Sequence, residues 1–287
     1  MKMTSKPDKN NIVTDVIAIL DESASMAKMD KEPIDSINFF FKEQKKQNDN
    51  ANATLVTFNT HTKILFENKN LSDLNEINYS DYHPQGGTAL NDAICSTINK
   101  KLNSSNPDNV VLLIITDGEE NSSQNYSNED TRNMISLVED KHSWKVIFMG
   151  ANIDAFSEGN KMNINTDRCA QYDQMVAGDL LSLCRTVSQQ VSDYRRSRSE
   201  GDTDPELKIP GNIKMNRLYT NPVGDQEKKE VSREVLAMFP QPLTRQHNVE
   251  ISGHYGRSSM QSPVNTSSIV TDNLPNVTMP DGTVIWI

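Results

Sequence analysis

Ala18-Ile19-Leu20-Asp21-Glu22-Ser23-Ala24-Ser25-Met26 is an apolar run that ends abruptly in a carboxylate and continues with hydroxyls at alternate positions. If residues 16–20 form a buried strand, the chain must turn where it leaves the sheet. Asp21, Ser23 and Ser25 then share one loop at the strand's carboxyl end, where open α/β sheets place their ligands. Donors that are all oxygen suit a hard cation such as Mg2+, which keeps part of its water shell and seldom takes a full protein cage.

Two further stretches complete a constellation. Gln85-Gly86-Gly87-Thr88-Ala89-Leu90 is a glycine turn that delivers one hydroxyl at the start of a predicted helix. Val110-Val111-Leu112-Leu113-Ile114-Ile115-Thr116-Asp117-Gly118 is a second apolar run ending in a carboxylate. Asp-x-Ser-x-Ser, then Gly-Thr, then a strand closing in Thr-Asp-Gly, resembles the von Willebrand factor A family in the order and spacing of its metal-ion-dependent adhesion site. The resemblance implies that Asp21, Ser23, Ser25, Thr88 and Asp117 are the metal residues. Asp21-Glu22-Ser23 and Thr116-Asp117-Gly118-Glu119-Glu120-Asn121 are similar to a microbial and viral subgroup of that family, and the likeness spans roughly the first two-thirds of the chain.

Composition sets the bounds. The 287 residues carry a formal charge of −10, with a pI near 5.0, which argues against a nucleic-acid binder, since such proteins usually show a basic face. The cysteines Cys95, Cys169 and Cys184 have no CxxC spacing and read as buried thiols of a reducing compartment. The polar start lacks the apolar stretch of a secretory signal, and no apolar run approaches the roughly 20 residues of a membrane span. These features together predict a cytoplasmic protein.

Along the chain, residues 1–10 read as a disordered lead-in and 11–198 as one A domain. Strands are expected at 14–20, 53–58, 62–67, 110–116, 145–149 and 168–170, with 53–58 and 62–67 forming a hairpin. Apolar spacing predicts helices at 33–46, 88–102, 128–141 and 173–194, with a turn and short helix after residue 150. Pro33 stands where a helix can begin at little cost, and Phe39-Phe40-Phe41 packs that helix on the sheet. Arg195-Arg196-Ser197-Arg198 reads as a basic cluster complementing the helix dipole. The expected fold class is α/β: a doubly wound, mainly parallel sheet flanked by helices (von Willebrand A, Rossmann-like), with an extended C-terminal tail. That tail, 199–287, carries a short helix near 225–239 and an apolar terminus with Trp286, placed to fold back or to add to another protein's sheet edge.

Neutral hydroxyl ligands leave a dication under-neutralised. The resemblance implies that Asp21 and Asp117 act largely through water or by gripping the hydroxyls, which leaves a coordination position for a carboxylate from a partner protein. The metal expected is Mg2+, with Mn2+ or Ca2+ as substitutes. Glu22, Glu119 and Glu120 read as charged loop surface; Glu22, Gly87, Glu119 and Trp286 are the candidates to face a partner. An Asp closing a strand also begins phosphatases of the haloacid-dehalogenase type, but Ser23 stands where those need a second acid. GxxxxGK, HExxH and GxSxG are all missing. The expectation is therefore metal-dependent protein binding without catalysis. The alternative is a structural component of a virion or other assembly, held by its tail, with the metal incidental.

Overall fold

Two uninterrupted apolar runs become the two central strands. The computed structural model describes residues 13–47, 50–104, 108–151 and 154–210, together with the backbone of 276–278 and 284–286. The elements follow in the order β1 (Thr14–Asp21), α1 (Glu32–Lys45), β2 (Ala51–Phe58), β3 (Thr62–Asn70), α2 (Leu90–Leu102), β4 (Val110–Thr116), α3 (Asn128–His142), β5 (Lys145–Ala151), α4 (Ala155–Lys161), β6 (Cys169–Tyr172) and α5 (Asp179–Ser199). They build one six-stranded sheet in the order β3-β2-β1-β4-β5-β6. Every pairing is parallel except β2 with β3, the expected hairpin. Every residue of β1 and β4 is buried, as happens to strands covered on both faces.

Alternation along β1 divides the core. Val16, Ala18 and Leu20 face α1 and α5, with Ile37, Phe40, Phe41 and Val187. Ile17 and Ile19 face α2 and α3, with Ile94, Ile98, Ile135 and Trp144. The strand order reverses direction between β1 and β4, so a crevice opens between their carboxyl ends. Asp21 closes β1 there and Asp117 follows β4 directly.

Three expectations change. The helix expected over 173–194 begins only at Asp179. Asp173 accepts the N–H of Met175 at 2.8 Å, Gly178 takes a φ of 85°, and Glu32 of α1 accepts from Gly178 at 3.0 Å and from Leu181 at 3.3 Å. A local turn and a distant carboxylate thus set the helix start, and Met175, expected on its buried stripe, is 76 % exposed. Arg195, read as part of the basic cluster that complements the helix dipole, is 1 % exposed. Its Nη1 donates to the backbone carbonyl of Gln44 at 2.8 Å and to Gln44 Oε1 at 3.0 Å. Nor does the folded part stop at 198: Leu207 and Ile209 are buried, and the Ile209 N–H donates to the carbonyl of Asp167 at 2.7 Å.

The chain divides into two units, 1–222 and 223–287. In the second, β7 (Asn276–Thr278) and β8 (Val284–Trp286) pair antiparallel, with Asn276 opposite Trp286. The helix expected near 225–239 and the side chain of Trp286 lie outside the described residues.

Gln44 joins α1 to α5 through both ends of its amide, since Nε2 also donates to the carbonyl of Ser188 at 2.9 Å. Gln44→Leu keeps the volume but removes an acceptor from a buried guanidinium. It is expected to cost about 1.5–3 kcal/mol, read from the urea unfolding midpoint.

Candidate metal centre

Three segments meet at the carboxyl edge. The first is the end of β1 with the 3₁₀ turn Ala24–Met29, whose N-cap is Ser23. Asp21 is fully buried. Its Oδ1 accepts the N–H of Ser23 and its Oδ2 the hydroxyl of Thr116, each at 2.6 Å. The turn aims the next two hydroxyls at the crevice: Ser23 Oγ and Ser25 Oγ lie 3.1 Å apart. Ser25 Oγ donates to Asp117 Oδ1 at 2.6 Å, while Asp117 Oδ2 is buried without a hydrogen-bond partner.

Thr88 arrives from the glycine turn. A Cβ added to Gly118 would stand 3.2 Å from Thr88 Oγ1 and 3.9 Å from Ser25 Oγ. The bare glycine therefore keeps open a space that both hydroxyls border. All five predicted residues are brought together, although they come from three separate parts of the chain. Among the described residues no group of three or more His, Cys, Asp or Glu could hold a metal ion; the donors here are two carboxylates and three hydroxyls.

The electrostatics agree with that donor set. Burial pushes Asp21 up to about 6, against the hydrogen bonds from Thr116 and Ser23, and the charge of Asp117 adds to the rise. Burial also raises Asp117, opposed by Ser25 and by the charge of Lys28. Burial makes both carboxylates costly to ionise, and a nearby cation would relieve both. An orphaned buried oxygen, converging hydroxyls and uncompensated acid make the set fit a divalent ion.

The surrounding residues hold these donors in place, and several were not legible as doing so. Tyr82 donates to the carbonyl of Asp21 at 2.6 Å, and Tyr172 to the carbonyl of Thr116 at 3.0 Å. Both phenols, raised well above their ordinary range mainly by burial, stay protonated as donors. Glu22, a candidate to face a partner, is 5 % exposed. It turns inward, and its carboxylate accepts the N–H of His83, so it fastens the glycine turn instead. Gly87 is half-buried. A Cβ there would lie 2.0 Å from Ser122 Oγ, so its bareness serves the close approach of two loops. Glu119 is exposed, two residues after Asp117.

Glu120, expected as loop surface, caps α2. Its Oε2 accepts the N–H of Asn91 at 2.9 Å, and its Oε1 accepts those of Ser122 and Ser123 at 2.9 and 2.8 Å. Asn121 pairs with Thr88 in both directions: its Oδ1 accepts the Thr88 N–H at 2.8 Å, and its own N–H donates to the Thr88 carbonyl at 3.0 Å. Asp92 accepts backbone N–H groups from Gln124, Asn125 and Tyr126 at 2.9 to 3.0 Å. The only sequence signal for this latch was an acid two residues after Gly118, because its partners lie some thirty residues away.

Thr116→Val, nearly isosteric, strips a donor from buried Asp21 and is expected to lower stability by about 1–3 kcal/mol, measured by urea unfolding in EDTA. Glu120→Ala removes the α2 cap. It should cost about 1 kcal/mol and speed hydrogen exchange at Ser122 and Ser123 more than at the core amides of β4.

Comparison with known proteins agrees with this architecture. The family profile of the von Willebrand factor type A domain matches residues 15–172. No curated protein sequence matches the chain. Among solved structures, the vWF domain of the type V pili tip protein Mfa5 from Porphyromonas gingivalis is 11 % identical with a TM-score of 0.49, covering 63 % of this chain and 95 % of that one. Proximal thread matrix protein 1 from the mussel byssus, in a structure with a zinc-occupied MIDAS motif, is 16 % identical with a TM-score of 0.45, covering 66 % of this chain and 46 % of that one. The ArnB paralog VWA2 from Sulfolobus acidocaldarius is 19 % identical with a TM-score of 0.43, covering 62 % and 44 %. This chain thus spans less than half the length of the latter two. With the profile covering more than half of its 287 residues, the chain belongs to the von Willebrand factor type A domain family.

Proposed function

We propose that Asp21, Ser23, Ser25, Thr88 and Asp117 form a metal-ion-dependent adhesion site that holds a divalent cation, Mg2+ by preference, and that the domain binds a protein partner through it. The observation that carries this is the unpartnered, buried Oδ2 of Asp117 beside three converging hydroxyls. When bound, the cation would supply a coordination position for an Asp or Glu carboxylate of the partner. The donor types favour it: hydroxyls carry no charge, so the ion keeps an appetite for an outside anion. The same donor set accepts Mn2+ or Ca2+.

The proposal is of binding without catalysis. It is supported by the engagement of Asp21, whose two carboxylate oxygens each accept a hydrogen bond from the protein's own groups. It is further supported by Ser23 in the place where a phosphatase of the kind considered would need an acid. We place the protein in a reducing compartment, the cytoplasm, because Cys95, Cys169 and Cys184 are all free and buried. The Asp-Glu-Ser and Thr-Asp-Gly-Glu-Glu-Asn signatures favour the microbial and viral subgroup of the family.

Calorimetric titration of the full chain with MgCl2 or MnCl2 is expected to show one site that Ser25→Ala weakens at least tenfold and Asp117→Ala abolishes. Partner capture from the source lysate should follow the same order, present in Mg2+ and lost in EDTA. Capture indifferent to EDTA and to Asp117→Ala, but lost on removing 223–287, would overturn the metal reading. It would favour instead an assembly component held by its tail.

A further inference from the structure

The 3₁₀ turn after β1 sorts its side chains into three rows, because residues three apart in such a helix eclipse one another. Within Ala24–Met29, Met26 and Met29 form the buried row. Ala24 and Ala27 form an exposed row without bulk. The third row is Ser25 and Lys28. Ser25 turns its hydroxyl onto Asp117 Oδ1 at 2.6 Å. Lys28 therefore rises on the crevice side of the turn, about 6 Å further along its axis at the rise of a 3₁₀ helix.

Lys28 is exposed, and among the described residues no carboxylate lies within ion-pair distance of its ammonium. Asp30, two residues on, acts on the Tyr79 phenol. The charge of Lys28 is felt by Asp117, where it opposes the rise that burial causes. On the other side of the crevice the sign is reversed. Glu119 is exposed, and its charge reaches Lys161 at the end of α4, which already pairs with Glu158. The crevice thus runs from an uncommitted cation on its β1 side to a surplus acid on its β5 side. An ammonium beside a cation site costs metal affinity, since like charges repel. It favours an anion that meets the loaded site, and it sets which way that anion's neighbours point.

We propose that Lys28 is a specificity residue of the metal centre: it pairs with a second carboxylate of the partner, so that the partner segment carries two acids close in sequence, one for the metal and one for Lys28. This rests on the metal reading above. The probes are the blocked pentapeptides Gly-Asp-Gly-Glu-Gly and Gly-Asp-Gly-Gln-Gly, which differ by one charge. Mn2+ alone is titrated calorimetrically into the full chain and into Lys28→Ala in low-salt buffer. Each peptide is then titrated into the 15N-labelled chains at saturating Mg2+. Lys28→Ala is expected to keep the unfolding midpoint and to bind Mn2+ about threefold more tightly. Wild type should bind the two-acid peptide about three- to fivefold more tightly than the one-acid peptide, a preference that Lys28→Ala removes and added salt screens. Lys28→Glu should tighten Mn2+ further and prefer the one-acid peptide. Opposite signs for metal and peptide mark the charge effect, because a merely structural defect weakens both. Wild type that binds no Mn2+ would sink the metal reading and this one with it. With Mn2+ bound, three results overturn the Lys28 assignment alone: no preference between the peptides or no binding of either, a preference that survives in Lys28→Ala, or Mn2+ affinity unchanged in that variant.

Discussion

Two carboxylates buried side by side govern the carboxyl edge of this sheet. Asp21 and Asp117 sit at the ends of adjacent strands, and burial raises both. Keeping them there requires neutralising contacts, and the chain supplies these from every direction. Thr116 and Ser23 donate to one acid and Ser25 to the other. One oxygen is left over. That residue of unmet charge is the physical reason for reading the crevice as a cation site and not as a set of turn and capping residues.

The acids can be held in this arrangement because the sheet beneath them is rigid. β1 and β4 are buried throughout and parallel, with Leu20 opposite Ile115, so their last residues emerge level with each other. Tyr82 and Tyr172 then fasten the terminal carbonyls of the two strands. The loops above are tied to one another more than to the sheet. Glu22 secures the glycine turn, and Glu120, Asn121 and Asp92 bind the loop after β4 to the start of α2. A donor such as Thr88 is therefore placed by a network whose members touch no metal, and a change in that network would be felt at the site.

The opposite end of β1 follows a different logic. Asp15 is satisfied on one oxygen by Lys101, and its other oxygen is shut off from solvent without a partner. One strand thus presents an acid at each end. The acid at the carboxyl edge lies among hydroxyls that suit a hard cation, and the acid at the amino end is paired with the ammonium of Lys101. Neighbours, not residue type, set the difference.

Most of the fold was legible because its signals are local. The uninterrupted apolar runs of β1 and β4 announce strands covered on both faces, the helical spacing of α2 and α3 announces amphipathic helices, and Asp-x-Ser-x-Ser, Gly-Thr and Thr-Asp-Gly together place the five site residues. Contacts between distant residues were not legible. Glu32 starts α5 from 146 residues away, Arg195 is buried because Gln44 receives it, and Leu207 and Ile209 extend the folded part past the last helix. Glu22 and Glu120 look like surface acids in sequence, and only tertiary structure turns them inward onto backbone N–H groups. The sequence by itself determined which chemical groups are available and on which elements they ride, since periodicity and turn chemistry act over a few residues. Tertiary structure decided which polar groups are satisfied and which are left open, because a hydrogen bond depends on position in space and a linear pattern carries no such distances.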